Sequence, residues 1–351
     1  MAKIIAIHTL FPEYEYSAEE ATASYLSWVS SQSVPFQKKA ERIFLTAAIK
    51  QKHTIAPADV LFNERTLEES NDLYKEVAIK LGTKILKETL QQAKIRPEEL
   101  DFIITTSCTG FMIPSFDAYV VNNLGLRPDI KKLPITEIGC AAGASALIYA
   151  NDFLKAYPDK KVAIITLEFP SNTIQLKDFS WDNVIGTAIF ADGVACAILG
   201  GDKNTYTDCP EIIDTKMYQM PDTTGILGYN LTNSGLKMNL DKTIPQIIED
   251  NFENIVEPFL NKNSTKIKDI DYFLVHPGGV KILDKIEKIL DKYGKNVDSS
   301  RKIMETYGNM SSSTILFILN EYMNKNNKNK TAFLLSFGPG FSAHELLLRW
   351  N

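Results

Sequence analysis

Hydrophobic positions along the chain follow two alternating spacings, and these predict alternating helices and strands. Apolar residues recur at helical intervals over 73–93 and over 244–260, and the second segment is interrupted near Pro258. A short apolar run follows each of them, FIITTS at 102–107 and YFLVH at 272–276. Almost wholly apolar strands between helices are typical of a sheet that helices cover on both faces. The pattern therefore predicts an α/β fold.

The same pattern occurs twice along the chain at a nearly constant distance. The matching pairs of segments are 99–110 with 269–280, 139–153 with 308–322, and 161–169 with 330–338. The separation is 170 residues for the first pair and 169 for the other two. A constant shift across strands, loops and helices indicates an internal duplication. We therefore predict two similar halves, residues 1–201 and 202–351, because the strand VACAILGG ends the first repeat.

Composition and charge describe an ordinary globular protein of 351 residues, with 44% hydrophobic and 23% charged residues. A net charge of −5 gives no general attraction to nucleic acid or to an anionic membrane surface, so neither is expected as a partner. No apolar run approaches the roughly 18 residues that a membrane span needs. The first residues also lack the pattern of a signal peptide and predict a strand instead.

The four cysteines show no CxxC pairing, which favours free thiols in a reducing, cytoplasmic setting. Cys140 stands out because it follows a glycine and precedes small residues at the start of a predicted helix. The positive end of the helix dipole at that position favours the thiolate form of a cysteine. A small cysteine in the core is the alternative interpretation. Cys196 lies within an apolar strand and Cys209 beside a proline in a loop, so neither predicts chemistry.

A cysteine nucleophile usually needs a basic or cationic partner, and the chain has four histidines. His276 ends an apolar strand and opens the turn PGG, where α/β proteins tend to place functional side chains. Asn309 occupies the position in the second repeat that Cys140 occupies in the first. Its amide is expected either to cap a helix or to donate a hydrogen bond to a developing oxyanion.

Four motifs in this order resemble those of type III polyketide synthases, the chalcone synthase-like branch of the thiolase-fold condensing enzymes, and Cys108 with the GYN segment at 228–230 resembles its bacterial members. The four motifs are GCAAG around Cys140, VHPGG around His276, YGNMSSS around Asn309 and FGPGFS at 337–342. The resemblance spans essentially the whole chain. It implies a thiolase-like αβαβα layered fold, a homodimer and a catalytic triad of Cys140, His276 and Asn309. It also implies acyl-CoA and malonyl-CoA as substrates, with no cofactor and no metal.

The resemblance implies a defined reaction sequence. Cys140 takes the acyl group of a starter acyl-CoA, and His276 and Asn309 donate hydrogen bonds to thioester oxygens. Malonyl-CoA loses CO2, and the resulting enolate attacks the acyl-cysteine in a Claisen condensation. Repeated extension and cyclisation then give a pyrone or a phenolic product. Because decarboxylation generates the carbanion, no separate strong base is required.

Further positions match residues of the family that shape its substrate cavity. Phe190 matches a gatekeeper phenylalanine, although a core aromatic is the alternative interpretation. Met238 replaces a second gatekeeper, and its adaptable side chain suits a flexible or fatty acyl chain. Other expected cavity residues are Cys108, Thr109, Ile113, Thr173 and Ser311, with Ile113 reaching across a dimer interface into the partner's cavity.

Residues near the expected tunnel mouth and in the last motif also match the family. Lys39 and Arg42 correspond to basic residues that hold the CoA phosphates, and a solvated helix face is their alternative interpretation. Gly338 and Gly340 are expected to shape the backbone around the substrate rather than to bind phosphate. No GxGxxG motif is present, so a dinucleotide cofactor has no support.

Two other enzyme classes could use the same cysteine, histidine and asparagine. One is a β-ketoacyl-[acyl-carrier-protein] synthase III-like enzyme, which performs a single condensation. Its HQAN-type pattern differs from the HPGG and FGPG loops of this chain. The other is a cysteine acyl-thioester hydrolase, in which water would take the acyl group. A scaffold without catalysis is the third alternative, and it is disfavoured because all three reactive positions are intact.

Overall fold

The computed structural model of the chain describes residues 1–204, 206–323 and 325–351. Its strands are β1 Lys3–Leu10, β2 Tyr14–Ser17, β3 Gln51–Thr54, β4 Phe102–Thr106, β5 Lys131–Ile135, β6 Lys161–Glu168, β7 Gly193–Gly200, β8 Pro210–Gln219, β9 Leu227–Thr232, β10 Gly235–Leu240, β11 Tyr272–Val275, β12 Thr331–Gly338 and β13 Ser342–Trp350.

The helices are α1 Ala18–Trp28, α2 Val34–Ala47, α3 Ala58–Leu61, α4 Leu67–Ala93, α5 Phe116–Leu124, α6 Ala142–Ala156, α7 Trp181–Ile189, α8 Ile244–Lys262, α9 Val280–Leu290, α10 Asp298–Tyr307 and α11 Thr314–Asn320. Short 3₁₀ turns at Gly139–Ala141 and Ser311–Ser313 lead into α6 and α11. The predicted helix at 73–93 begins earlier, because Thr66 and Glu69 form a reciprocal capping box in front of α4.

The main sheet shows the duplication directly. Its strand order is β11-β12-β13-β8-β1-β7-β6-β4-β5 across the part of the chain that the structure describes. On one side β4 pairs parallel with β6, which pairs antiparallel with β7, and β7 pairs antiparallel with β1. On the other side the same order of pairings recurs. Strand β11 pairs parallel with β12, β12 pairs antiparallel with β13, and β13 pairs antiparallel with β8. The two sets of strands meet where β1 pairs with β8.

The helices complete a five-layered αβαβα arrangement. Helix α6 packs on β4 and β6 of one half and on β8, β12 and β13 of the other. Helix α11 likewise contacts β1, β7 and β11, so both helices form the central layer. Helices α4 and α5 cover the outer face of the first half, and α8 and α9 cover that of the second. The α/β prediction is confirmed.

Helix α8 differs from the sequence prediction at its end. The helix continues through Pro258 to Lys262, whereas the sequence predicted an interruption near the proline. Pro258 is exposed, so its ring lies on the solvent side of the helix. Phe259 and Leu260 are buried in the core and hold the last turn in place. The missing backbone donor is thus tolerated because tertiary packing stabilises this turn.

The two central helices approach each other most closely at Gly143. A Cβ atom at this position would lie 2.2 Å from the backbone oxygen of Ser312 and 2.8 Å from the Cγ2 atom of Ile315. No real Cβ makes contacts this short, so a side chain here would force α6 away from α11. Gly143 is therefore required for this close packing.

Replacing Gly143 with alanine is expected to lower the free energy of unfolding by about 1–3 kcal/mol, the usual cost of overpacking a core. The measurement is the midpoint of urea unfolding. The matched control is Gly225→Ala, because nothing lies within 4 Å of a Cβ at Gly225. Equal midpoints for the two variants would contradict the close approach of the central helices.

Candidate active site

Cys140 lies in the 3₁₀ turn that leads into α6, at the junction between β5 and the central layer. The residue as a whole is half-buried, and its Sγ atom lies 3.5 Å from the Oγ atom of Ser311. Gly139 makes the turn possible, because its φ of +56° is a left-handed conformation and a Cβ there would lie 2.6 Å from Pro339. The predicted position of Cys140 at a helix start is confirmed.

Asn309 lies at the equivalent junction in front of α11 and is 1% exposed. Its backbone forms an isolated parallel bridge with Phe190, and the Asn309 amide donates to the carbonyl of Ile189 at 2.9 Å. Its side-chain oxygen accepts from the backbone amide of Ser311 at 2.8 Å. Ser311 therefore connects Asn309 to Cys140, and the structure brings these two repeat-related positions to one place.

His276 directly follows β11 and is 2% exposed. The turn after it returns to Asn309, whose side-chain Nδ2 donates to the carbonyl of Gly278 at 3.3 Å. Within the described residues neither ring nitrogen of His276 has a hydrogen-bond partner. A buried polar group without a partner usually costs about 1–3 kcal/mol, so it needs an explanation. A substrate oxygen or a thiol proton would supply one.

Burial controls the charges of these groups. It raises the pKa of Cys140 to about 12 and lowers the pKa of His276 to about 3, so both are neutral at pH 7 in the free chain. The sequence predicted a thiolate favoured by the helix dipole. The structure gives the opposite direction for the pKa of Cys140, because desolvation outweighs the effect of the helix start.

Glu168 is a site residue that the sequence analysis missed. It ends β6, is fully buried and accepts hydrogen bonds at 3.1 Å from the backbone amide of Cys108 and from the Thr109 hydroxyl. The Ser312 hydroxyl binds its other oxygen, and the Cys108 thiol lies 3.5 Å away. Burial raises the pKa of Glu168 despite these donors. An acid at the end of the apolar run VAIITLE was the available signal.

Two cavities adjoin this cluster. The larger, of about 660 Å³, is lined by Cys108, Thr109 and Thr173. The smaller, of about 70 Å³, is lined by Phe190, Met238 and Thr173. Leu61, Thr173, Ile174 and Leu236 line both cavities, so the two are contiguous.

Tyr229, which the sequence analysis did not select, also lines the smaller cavity. Burial raises its pKa, and the neighbouring Cys108, Cys140 and Glu168 raise it further. Tyr229 therefore belongs to the wall of the smaller cavity and feels the charges of the neighbouring site. Its position in the β9–β10 hairpin, a surface-like stretch of mixed polarity, gave no signal for this role.

The glycines of the FGPG motif support the turn that carries Cys140. A Cβ at Gly338 would lie 2.7 Å from that of Ala141, so β12 packs directly behind the turn. The Gly340 carbonyl accepts from the Thr223 hydroxyl at 2.9 Å, and the Gly340 amide donates to the carbonyl of Leu227 at 3.0 Å. These contacts agree with a role in shaping the backbone.

The remaining predicted residues lie at the surface. Lys39 and Arg42 are exposed one turn apart on α2, and the Lys39 ammonium lies 3.6 Å from the centroid of the Trp181 ring. Ile113 is 84% exposed and the neighbouring Phe111 is 63% exposed. The isolated chain therefore does not bring Ile113 into its own cavity.

The described ranges contain neither a metal-binding cluster nor a membrane-spanning helix. No group of three or more histidine, cysteine, aspartate or glutamate side chains is arranged to hold a metal ion. None of the described helices is both long and apolar enough to cross a lipid bilayer.

The fold and site define a condensing enzyme of the thiolase-like class, and solved structures agree. The 1,3,6,8-tetrahydroxynaphthalene synthase of Streptomyces coelicolor, a bacterial type III polyketide synthase, superposes with a TM-score of 0.92. It is 26% identical, and the match covers 99% of both chains. A polyketide synthase of the brown alga Ectocarpus siliculosus also gives a TM-score of 0.92 at 26% identity, covering 100% of this chain and 98% of its own.

Sequence comparisons give the family. The N-terminal domain model of chalcone and stilbene synthases matches residues 1–203, and the C-terminal domain model matches residues 211–350. A putative chalcone synthase of Bacillus subtilis is 32% identical over 100% of this chain and 99% of its own length. The chain therefore belongs to the chalcone and stilbene synthase family and is a type III polyketide synthase, a malonyl-CoA-dependent acyltransferase. The single-condensation and hydrolase alternatives gain no support.

Proposed function

We propose that Cys140 is the nucleophile of this polyketide synthase and that His276 and Asn309 act on the same substrate oxygen. The observation that carries this assignment is the meeting of the two helix starts, with Ser311 linking the Cys140 sulfur to the Asn309 amide. The unpartnered ring nitrogens of His276 are then available to take the thiol proton and to donate to a thioester oxygen.

The proposed reaction proceeds in two stages. The Cys140 sulfur attacks the thioester carbonyl of a starter acyl-CoA, its proton passes to His276, and the CoA thiol leaves with that proton. Malonyl-CoA then releases CO2, and the electron pair of the broken C–C bond forms an enolate. The enolate oxygen accepts hydrogen bonds from His276 and Asn309. The enolate carbon attacks the acyl-cysteine, a C–C bond forms and the Cys140 thiolate is released. Repetition lengthens the chain before it cyclises to a pyrone or phenolic product.

We further propose that the two cavities and the surface cations bind different parts of the substrate. Phe190 and Met238 line the smaller cavity, and Cys108 and Thr109 line the larger one. We assign the growing polyketide to this contiguous space. Lys39 and Arg42 would bind the CoA phosphates at the surface, since Arg and Lys side chains are the usual phosphate ligands. No further cofactor is proposed.

Replacing Cys140 with alanine is expected to abolish extension, because no acyl-enzyme can form. Asn309→Ala should lower the rate by about 10²- to 10³-fold, the usual cost of removing one oxyanion donor. The assay supplies labelled malonyl-CoA with a panel of acyl-CoAs and identifies products by mass spectrometry. Asn123→Ala, on an exposed helix face, is the control. Full product formation by Cys140→Ala would refute the nucleophile.

Removing the imidazole of His276 should slow alkylation of the Cys140 thiol, because the neutral imidazole is the proposed acceptor of the thiol proton. A positioned general base typically contributes about 10²-fold or more to a rate, so His276→Ala should slow alkylation at pH 7 by about tenfold or more. The measurement is the rate of iodoacetamide labelling of Cys140 between pH 5 and 10. His8→Ala is the control, because His8 pairs with Glu88 at a half-exposed position. Superimposable pH profiles for His276→Ala and the wild type would contradict the proposed proton acceptor.

We further propose that the protein is a homodimer in which Ile113 reaches the partner's cavity. An 84% exposed isoleucine beside a 63% exposed phenylalanine is an apolar patch that water does not favour. Ile113→Asp should therefore shift the sedimentation velocity from dimer to monomer, whereas Leu45→Asp, at a 66% exposed position on α2, should not. A monomeric wild-type protein would refute the proposal.

Two broader proposals accompany this one. We place the boundary between the repeated halves at residues 201 and 202, supported by the repeated strand order on either side of it. We also propose a cytoplasmic location, supported by cysteines that are all free thiols.

A further inference from the structure

The larger cavity begins beside the proposed nucleophile. Cys108 lines this cavity, and its Sγ atom lies 3.6 Å from the Oγ atom of Ser311. The Sγ atom of Cys140 lies 3.5 Å from the same Oγ atom. The two sulfur atoms are therefore no more than two such contacts apart. An acyl group held on Cys140 thus starts next to the larger cavity, and the wall of that cavity decides what an extended chain meets.

Arg65 brings a cation to this wall from the segment just before α4, where it is half-buried. Its guanidinium donates to the side-chain oxygen of Asn172 at 3.0 Å. Asn172 is itself held in place, because its Nδ2 atom donates to the carbonyl of Ser70 at 2.8 Å. The contact with Asn172 positions the guanidinium at the wall and uses one of the five N–H donors that an arginine carries.

The protein does not match the remaining donors of Arg65. Its Nε atom is buried and has no hydrogen-bond partner among the described residues. Glu69 attracts the guanidinium, but its Oε2 atom already accepts from the amide and the hydroxyl of Thr66, at 2.8 and 3.0 Å. Burial lowers the pKa of Arg65, and the attraction of Glu69 only partly opposes this. A buried donor without a partner is costly, so a ligand that supplies acceptors is favoured here.

Other polar side chains of this wall already have partners in the protein. Gln175 accepts from the Ser234 hydroxyl at 2.7 Å and donates to the carbonyl of Thr173 at 2.9 Å. Lys177 is exposed, and its ammonium lies 3.0 Å from the carboxylate of Glu64. Of these groups, Arg65 is the one that keeps donors for a ligand.

Space alone does not hold a short chain in this cavity. Its volume of about 660 Å³ has room for roughly 40 to 70 water-sized groups, at about 10–15 Å³ each. One extension adds only two carbons and one oxygen to the acyl chain. A chain that has been extended a few times therefore stays loose unless polar contacts fix it.

The chemistry of the growing polyketide fits the free donors of Arg65. Two extensions place ketones at C3 and C5 of the acyl chain, and their oxygens can lie side by side, as the two oxygens of a carboxylate do. A guanidinium presents paired, parallel N–H donors that match paired acceptors of this kind. A simple starter acyl group carries no such pair of oxygens. The ligand that fits is therefore the extended chain rather than the starter.

We propose that Arg65 binds the paired ketone oxygens of the growing polyketide in the larger cavity and thereby determines how many malonyl units are added before release. The competing reaction is lactonisation. In that reaction the enol oxygen at C5 bonds to the thioester carbon, the C–S bond to Cys140 breaks, and the enol proton passes to the sulfur. The product is a pyrone of two malonyl units. An oxygen that Arg65 holds away from the thioester leaves the chain free to receive a third unit.

The inference rests on the proposed loading of an acyl group onto Cys140, and its test is the distribution of products. A hydrogen bond to a charged group corresponds to roughly 10- to 100-fold in binding. In Arg65→Met we expect the ratio of products with three or more malonyl units to the pyrone of two units to fall by this factor. Products from labelled malonyl-CoA and one acyl-CoA starter are identified by mass spectrometry. Loading of the starter should stay close to that of the wild type, because the starter lacks paired ketones.

Further variants separate the guanidinium from a general effect on the wall. Lys177→Met is the matched control, because it removes an exposed, paired cation from the same wall and should leave the ratio unchanged. Arg65→Lys should restore part of the ratio, because lysine keeps the charge but not the paired donors. Arg65→Gln stays polar and loses the charge, so it should behave like Arg65→Met. A wild-type ratio in either uncharged variant that still loads the starter would overturn the inference.

Failure of this inference can be told apart from failure of the proposed function. If the wild-type protein extends a starter but releases no product with more than two malonyl units, the assignment of Arg65 is wrong and the proposed function stands. If the protein forms no acyl-cysteine and incorporates no malonyl unit with any starter, the proposed function itself is wrong. The same mass-spectrometric assay reports both results.

Discussion

The structure depends on the close approach of two helix starts in the central layer. Gly143 leaves room for the backbone oxygen of Ser312, and this contact brings the turn at Cys140 against the turn at Ser311. Each helix belongs to a different repeat, so the contact also joins the halves. The main sheet alone would join them weakly, because β1 and β8 share a single paired position, Lys3 with Glu211. The centre that holds the molecule together is therefore the place where its reactive groups meet.

Burial keeps the cysteine and the histidine of this centre uncharged in the protein without substrate. A neutral thiol, a neutral imidazole and the Asn309 amide lie where solvent is largely excluded. In such surroundings each hydrogen bond to a developing charge is stronger than in water. Donors that are already in position need little reorganisation when an enolate forms. Glu168 extends this environment by ordering the backbone at Cys108 and the hydroxyl of Ser312.

The sequence predicted the architecture well because the repeated pattern carries it. Apolar runs of strand length, separated by 169 or 170 residues, predict the two paired halves. Local patterns were less reliable where tertiary packing decides. Pro258 indicated an interruption, but Phe259 and Leu260 hold the final turn of α8 in the core. A breaker residue is a local signal, and the packing that overrides it involves distant segments.

Within the site, the residues with a distinctive local motif were predictable, and those that act through their surroundings were not. Cys140, His276 and Asn309 each follow or precede glycines at strand and helix junctions. The pKa of Cys140 could not be predicted, because it depends on how completely both halves exclude water. Tyr229 reaches the smaller cavity from a hairpin whose sequence has no marked pattern.

The distance along the chain between the two proposed catalytic positions has a consequence for biosynthesis. Asn309 lies 169 residues after Cys140, so their meeting is a highly non-local contact that closes a long loop. Contacts of this kind form late in folding because the entropy of the loop must be overcome first. A nascent chain that has completed only its first half therefore carries the thiol without the groups that would activate it. The arrangement proposed to load a thioester on Cys140 is therefore complete only in the native state, and a partly synthesised chain lacks it.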